Sequence, residues 1–154
     1  MIRELGYLRP LQESDLPTIL EWRNNPNIRS RMYTQHKISQ NEHRAWWENK
    51  KNSETDRLFI YVNDSIDIGF ISFSQIDKKS GSAFWAFYAS PTAGRGYGLL
   101  MEYIALEEFF ISQNMRKLNC EVLGSNNNVI ALHRKFGFKE EGVFRTHVLV
   151  NGEL

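Results

Sequence analysis

The chain has 154 residues, of which 42% are hydrophobic and 13% aromatic. This length and composition predict one globular domain, spanning residues 1–154, and exclude a disordered chain. Nineteen Lys and Arg against 18 Asp and Glu give a net charge of +1, so bulk charge offers no case for a nucleic-acid or membrane partner.

The N-terminal third of the chain predicts one strand followed by three helices. A short strand is expected over Tyr7 to Leu11, and a helix capped by Ser14 then runs to about Asn24. After the helix-breaking Asn24-Asn25-Pro26, a second short helix is predicted over Asn27 to Tyr33. A third helix begins after Ser39, because Glu42 three residues later completes a capping box.

The middle of the chain predicts three strands that are joined by tight turns. These strands cover Arg57 to Val62, Asp67 to Ile76 and Ser82 to Ala89, and turn-forming residues separate them. Short turns join strands that are adjacent and antiparallel in the sheet. We therefore expect an antiparallel meander.

A glycine-rich loop, Gly94-Arg95-Gly96-Tyr97-Gly98, follows the third strand of the meander and precedes a helix over Leu99 to Phe110. Alternate glycines at a strand-to-helix turn leave backbone N–H groups uncovered. Those groups lie at the positive end of the helix dipole. The loop therefore predicts a site for a phosphate or pyrophosphate group.

The last part of the chain predicts a strand, a helix and a final strand. The strand covers Lys117 to Leu123, and the helix covers Asn127 to Phe136 and is stopped by Gly137. The final strand is expected over Phe138 to Val150, before a hairpin turn at Asn151-Gly152. The predicted order gives a mixed α/β domain.

The single cysteine and the absence of long apolar segments exclude further classes of protein. Cys120 is the only cysteine, which excludes an intramolecular disulfide and a cysteine-based zinc cluster, and we expect it to be a packed, inert thiol and no metal to be bound. No segment approaches the length of a membrane span, and the N-terminus lacks the apolar run of a signal peptide. We therefore expect a soluble cytoplasmic protein without a membrane partner.

Two segments together resemble the GNAT superfamily of acetyl-CoA-dependent N-acetyltransferases. One is the glycine loop, and the other is Asn128-x-x-Ala131-Leu132-His133-x-Lys135-Phe136-Gly137-Phe138. The resemblance covers nearly the whole chain. It implies a mixed central sheet with splayed fourth and fifth strands, flanked by helices. Relatives usually continue past the Asn151-Gly152 turn into another strand, so the last strand of the family is expected to be missing here.

The same resemblance implies acetyl-CoA as cosubstrate and assigns residues to it. Loop amides would bind the pyrophosphate, with the Arg95 guanidinium as a further contact, and pantetheine would enter between the splayed strands. The residues expected to bind the cosubstrate are Phe87, Tyr88, Ala89, Gly94, Arg95, Gly96, Tyr97, Gly98, Asn126, Asn128 and Lys135.

Two residues are predicted to move protons during a direct attack of the amine on the thioester. Glu121 would be the general base, on a strand face that it shares with Asn119. His133 occupies the place of the tyrosine with which many relatives protonate the departing thiolate, and histidine can supply that proton. A solvated strand carboxylate and a surface helix histidine are the alternative interpretations of these two residues.

A narrower resemblance points to the PseH branch of the superfamily. It rests on segments such as Glu21-Trp22-Arg23-Asn24-Asn25-Pro26 and Lys117-Leu118-Asn119-Cys120-Glu121. It implies acetylation of the 4-amino group of a UDP-linked 4-amino-4,6-dideoxy sugar in pseudaminic acid biosynthesis, which serves flagellin modification. The residues expected to bind this nucleotide sugar are Trp22, Arg23, Arg29, Met32 and His36.

Three alternatives remain open at this stage. Within enzymes, the acceptor is a protein N-terminus or a polyamine, although the basic segment from Trp22 to His36 favours an anionic acceptor. In another class, the chain is a non-catalytic acyl-CoA-binding module. Trp22 is also a candidate core residue, and a homodimer is compatible with the sequence.

Overall fold

The computed structural model describes residues 4–150 and 152–153. A 3-10 turn over Glu13–Asp15 precedes the first helix, and a π-helical turn over Glu108–Ser112 continues the fourth. The five strands are β1 (Tyr7–Pro10), β2 (Arg57–Asn63), β3 (Ile66–Asp77), β4 (Ser82–Ala89) and β5 (Lys117–Asn119). The five helices are α1 (Leu16–Asn24), α2 (Pro26–Arg29), α3 (Gln40–Lys50), α4 (Tyr97–Glu107) and α5 (Asn127–Lys135).

The sheet has the strand order β1-β2-β3-β4-β5, so each strand lies beside its neighbour in the chain. Pairs among β1 to β4 are antiparallel, which confirms the predicted meander. The pair between β4 and β5 is parallel, because the chain crosses over through α4 before it returns to the sheet.

The fourth and fifth strands separate soon after they meet. Their register runs from Ser82 opposite Lys117 to Phe84 opposite Asn119. Beyond this point β4 continues to Ala89, whereas the chain after Asn119 leaves the sheet. We call the opening between residues 85–89 and residues 120–123 the strand gap, and it confirms the splayed arrangement. The predicted strand over Lys117 to Leu123 was therefore too long.

The predicted helices exist, but several of their ends differ. Ser14 lies in the 3-10 turn, and α1 begins only at Leu16 with Pro17 in its first turn. The second helix is a single turn, which Asn25 caps by accepting a hydrogen bond from the Asn27 amide. Ser39 and Glu42 form the predicted capping box. None of the helices within the described ranges is long and apolar enough to cross a membrane.

The predicted final strand over Phe138 to Val150 is wrong. Most of these residues are exposed, and the described part of this segment contains no strand. Val150 forms an isolated bridge with Glu153 around Gly152, whose φ of +80° suits a turn. Asn151 lies outside the described residues. Alternating apolar residues form a strand only beside a partner strand, and this segment has none among the residues that the structure describes.

Two apolar clusters cover the two faces of the sheet. On one face, Met101 of α4 and Phe109 of the π-helical turn after it pack against side chains such as Phe73. On the other face, α1 and α3 pack Ile19 and Trp47 against side chains such as Phe70. Successive strand residues point to opposite faces, so β3 contributes to both clusters. The strand gap opens at the β4–β5 side of this double-layered core.

Candidate functional site

The glycine loop leads directly into the N-terminus of α4. Gly96 caps α4 with φ +92°, a left-handed conformation that glycine adopts without steric cost. The first turn of any helix directs N–H groups outward that have no partner within the helix, where its dipole is positive. Gly94, Arg95 and Gly96 are exposed beside this turn. A phosphate group is therefore favoured there.

Helix α5 lies beside the first turn of α4. A Cβ atom placed on Gly98 would stand 3.6 Å from Cδ2 of Leu132, which is ordinary van der Waals contact. The predicted cosubstrate contacts on α5 are spread along it: Asn126 precedes its first turn, Asn128 is exposed in that turn, and Lys135 is its last residue. A helix of this length spans about 14 Å, so Asn126 and Lys135 face different parts of any ligand.

The free edge of β4 lines the strand gap. Phe87, Tyr88 and Ala89 pair with β3 on one side, and in the described part of the chain no strand pairs with them on the other. The backbone groups on that side are thus placed to bind an extended chain that carries amides. Burial raises the pKa of the Tyr88 hydroxyl, which keeps this tyrosine neutral.

His133 is buried and hydrogen-bonded to a buried glutamate. It is 6% exposed, and its Nδ1 atom lies 2.8 Å from Oε1 of Glu102, which is fully buried on α4. Burial lowers the pKa of the imidazole, but the neighbouring Cys120 thiol and the Glu102 carboxylate outweigh it and raise the pKa to about 9. The raised pKa favours the protonated imidazole, and the burial shows that His133 is not the surface histidine of the alternative interpretation.

Aromatic rings enclose this imidazole. The ring centroids of Trp85, Phe87 and Phe138 lie 5.5, 6.1 and 5.1 Å from that of His133. Trp85 and Phe87 belong to the part of β4 that borders the strand gap. His133 therefore lies at the gap, among apolar side chains that limit the access of water.

Sequence reasoning missed Glu102. The sequence does contain a sign of its burial, because Glu102 lies on the apolar face of a helix. Ala105 follows it by three residues, and Phe109 follows Ala105 by four. A carboxylate on such a buried stripe needs a partner in the core. The sequence alone does not name that partner, which is 31 residues away.

Glu121 lies just beyond the end of β5 and is exposed. Its Oε2 atom accepts a 2.8 Å hydrogen bond from the hydroxyl of Tyr33, in the loop after α2. Burial and this hydrogen bond raise the pKa of Tyr33 to about 12. Since β5 ends at Asn119, the predicted strand face shared by Asn119 and Glu121 does not exist. Tyr33 is a second site residue that sequence reasoning missed.

Arg23 lies on α1, where it contacts the loop after α2 and interacts with Tyr88 of β4. Its Nη2 atom donates to the carbonyl of Thr34 at 3.0 Å, while Nη1 is buried without a hydrogen-bond partner among the described residues. Burial lowers the pKa of the guanidinium and the nearby Tyr88 partly opposes this. A guanidinium is charged at neutral pH even so, so Arg23 is a partly desolvated cation with unused donor capacity.

The other residues predicted to bind the acceptor differ in accessibility. Arg29 and Met32 are half-buried near the end of α2, and His36 is exposed but pairs with Glu42 at 2.8 Å. Trp22 is 7% exposed and belongs to the core cluster beneath α1. Its burial corrects the prediction of a stacking surface for substrate, because the apolar pattern of α1 directs the ring inward.

The chain that forms this site is similar to known proteins. A family profile described as "Acetyltransferase (GNAT) domain" matches residues 7–139. The chain belongs to this family. GNAT acetyltransferases use acetyl-CoA, so acetyl-CoA is the cosubstrate that the glycine loop and the strand gap have to fit.

Individual GNAT relatives have different names. A SPbeta prophage-derived uncharacterized N-acetyltransferase, YokL of Bacillus subtilis, is 30% identical over 115 residues, 74% of this chain. The chain spans 65% of the length of that relative. Acetyltransferase PseH of Campylobacter jejuni is 30% identical over 136 residues, which are 88% of this chain and 83% of PseH.

The similarity to solved GNAT structures extends over nearly the whole chain. A crystal structure of spermidine N-acetyltransferase from Vibrio cholerae in complex with CoA and spermine has a TM-score of 0.88 and 26% identity. The match covers 95% of this chain and 88% of that chain. This similarity agrees with the fold described above, and the Vibrio cholerae enzyme is bound to CoA in its crystal structure.

Proposed function

We propose that this GNAT chain is an N-acetyltransferase whose acceptor is the 4-amino group of a UDP-linked amino-dideoxy sugar, as in pseudaminic acid biosynthesis. The observation that carries the choice of acceptor is Arg23, a half-buried cation with a free donor next to the strand gap. A guanidinium binds phosphate oxygens with two parallel hydrogen bonds, and a diphosphate supplies them.

The charges around Arg23 favour the same acceptor. Between Trp22 and Ser39 the sequence contains Arg23, Arg29, Arg31 and Lys37 and no acidic residue. A polyamine is a multiple cation, so this segment would repel it, whereas a nucleotide diphosphate would be attracted. The similarity to PseH over 88% of the chain supports the same acceptor.

We assign the steps of acetyl transfer to residues at the strand gap. Amides at the start of α4 hold the pyrophosphate of acetyl-CoA, which supplies the acetyl group as a thioester. The free edge of β4 aligns pantetheine and directs an N–H group at the thioester oxygen. Glu121 removes a proton from the acceptor ammonium, and His133 gives a proton to the departing sulfur.

The test of this function compares acceptors and one arginine variant. We expect UDP-4-amino-4,6-dideoxy sugar to be acetylated with a higher kcat/KM than spermidine, and UDP to inhibit competitively against the sugar. Arg23→Gln should raise the KM for the sugar about tenfold or more with a smaller change in kcat, since it removes charged hydrogen bonds to the acceptor. Arg44→Gln, an exposed arginine of α3, is the matched control and should leave both constants unchanged.

One specific observation favours a second acceptor. The high TM-score to the spermine complex of the Vibrio cholerae enzyme supports a polyamine N-acetyltransferase. In that case spermidine would be the better substrate, UDP would not inhibit, and Arg23→Gln would leave spermidine turnover unchanged or improve it. CoA binding without turnover of any amine would instead support an acyl-CoA-binding module.

A further inference from the structure

The buried contact between α4 and α5 is an ionisable pair inside an apolar core. Glu102 is fully buried and His133 is 6% exposed, and a 2.8 Å contact joins Oε1 of Glu102 to Nδ1 of His133. The second carboxylate oxygen, Oε2, has no hydrogen-bond partner among the described residues. Packing does not require such a pair, because apolar residues of similar volume would fill the same space at no electrostatic cost.

The environment of the pair restricts what it can do. An ionised carboxylate with one unpaired oxygen in the core is stabilised mainly by a full positive charge on its one partner. Because Glu102 occupies Nδ1, only Nε2 is left to face another group. The Cys120 thiol, which interacts with His133, lies directly after the last residue of β5 and thus at the strand gap.

We propose that Glu102 is a positioning residue that holds His133 as an imidazolium, with its Nε2–H available at the strand gap. This inference rests on the proposed function and adds to it the group that keeps His133 protonated. When the acceptor nitrogen bonds to the acetyl carbon, the C–S bond breaks and its electron pair goes to sulfur. His133 gives the Nε2 proton to that sulfur and takes another from solvent after the product leaves.

The groups that act on this proton come from each element around the ring. Helix α4 contributes Glu102, and the segment after β5 contributes Cys120. Strand β4 and the segment after α5 contribute only the rings of Trp85, Phe87 and Phe138. Cys120→Ala therefore leaves Glu102 as the main source of the positive charge on His133.

The decisive measurement is a 15N NMR titration of the histidine side chains in the protein without ligands. We expect both nitrogens of His133 to carry protons at pH 7 and to titrate near pH 9 in the native protein. Cys120→Ala removes a contact that also raises this pKa, so its midpoint should be lower, with both nitrogens still protonated at pH 7. A neutral His133 at pH 7 would overturn the proposal, because Glu102 would then not hold an imidazolium. This result does not depend on the identity of the acceptor, and it needs no variant of Glu102 to fold.

A kinetic test separates positioning from packing. Glu102→Gln keeps the size of the side chain but removes its charge, so the alkaline limit of kcat should move down by about two pH units or more, as burial then dominates. Glu107→Gln, an exposed glutamate on the same helix, should leave the pH profile unchanged. An equal fall in kcat at every pH would show that Glu102 is structural and would overturn the proposal, while the choice of acceptor would stand.

Discussion

Asp15 shows how one buried carboxylate connects three parts of the chain. Both of its oxygens accept hydrogen bonds at 2.8 Å from the Arg9 guanidinium of β1, and Oδ2 also accepts one from the Gln12 amide. The hydrogen bonds from Arg9 are the main cause that lowers the pKa of Asp15, and burial opposes them only partly. Arg9 also reaches Asp67 on β3.

This geometry predicts a pH-dependent stability. A carboxyl whose pKa is lower in the folded state stabilises the fold fully above its unfolded pKa of about 3.9, and this contribution is lost as the pH falls from that value through the lower pKa of the folded state. Asp15→Asn should lower the free energy of unfolding by about 1–3 kcal/mol at pH 7 and by much less near pH 3. Urea unfolding at both pH values measures this difference.

Asp67→Asn is the matched control, because Asp67 makes one contact to Arg9 and its side chain is 43% exposed. This variant should lower the free energy of unfolding by no more than about 1 kcal/mol at pH 7. Equal losses of stability for the two variants would show that the burial of Asp15 and its paired hydrogen bonds do not stabilise the fold further.

At the scale of single residues, the sequence identified side chains with suitable chemistry better than it predicted which residues surround them in the fold. The position of His133 was identified from a motif, but its burial and its partner Glu102 were not, because that contact joins two helices that are distant in sequence. Trp22 was weighed as both core and ligand contact, and only packing beneath α1 decided for the core. The roles of Glu121 and His133 in catalysis stay predictions.

At the scale of elements, the contact between α4 and the sheet depends on Gly69. A Cβ atom at this position of β3 would lie 2.4 Å from Cε of Met101 and 2.8 Å from the carbonyl oxygen of Tyr88. The backbone oxygen cannot move aside without disturbing β4. The absence of a side chain therefore sets how closely α4 approaches the strand gap.

Gly69→Ala should lower the free energy of unfolding by about 1–3 kcal/mol, because overpacking in a filled core forces backbone shifts. Chemical denaturation measures the loss, and acetyl-CoA affinity should fall with it since α4 carries the glycine loop. In Gly124→Ala the new Cβ meets no atom within 4 Å, so this control should change stability little. A stable Gly69→Ala protein would mean that Met101 moves without cost.

Elements with local signals were predicted well, and elements that need distant partners were not. The capping box at Ser39 and the three meander strands depend on residues close in sequence, and the structure contains them. The strand over Lys117 to Leu123 was predicted too long, because the point where β5 leaves β4 is set by packing across the gap. The apolar pattern after Phe138 likewise predicted a strand without showing whether a partner exists.

At the scale of the whole molecule, we expect the proposed donor and acceptor regions to lie on opposite faces of the sheet, because α4 packs on one face and α1 on the other. The donor side comprises the glycine loop, α4 and α5, and the acceptor side comprises α1, α2 and the loop that ends at Ser39. Tyr33 and Glu121 join the two sides through one hydrogen bond. Ligands that occupy separate sides should therefore stabilise the fold separately.

Ligand-induced stabilisation tests this arrangement. CoA at 100 times its Kd should raise the free energy of unfolding by about 2.7 kcal/mol, since it binds only the folded chain. UDP should add a second increase in the presence of saturating CoA, whereas spermine should add none. Thermal unfolding with each ligand and with the pair provides the measurement. If UDP cancels the effect of CoA, the two ligands compete for one side.

The parallel pairing of β4 with β5 also bears on the order in which the molecule assembles. Strands β2, β3 and β4 pair through short turns, whereas β5 must return past the whole of α4. Pairings that close long loops form more slowly than hairpins. On the ribosome, the hairpins can thus form before α5 has been made. A nascent chain would then hold most of its sheet while it still lacks α5, and the proposed acid His133 would join the strand gap only after that helix has been synthesised.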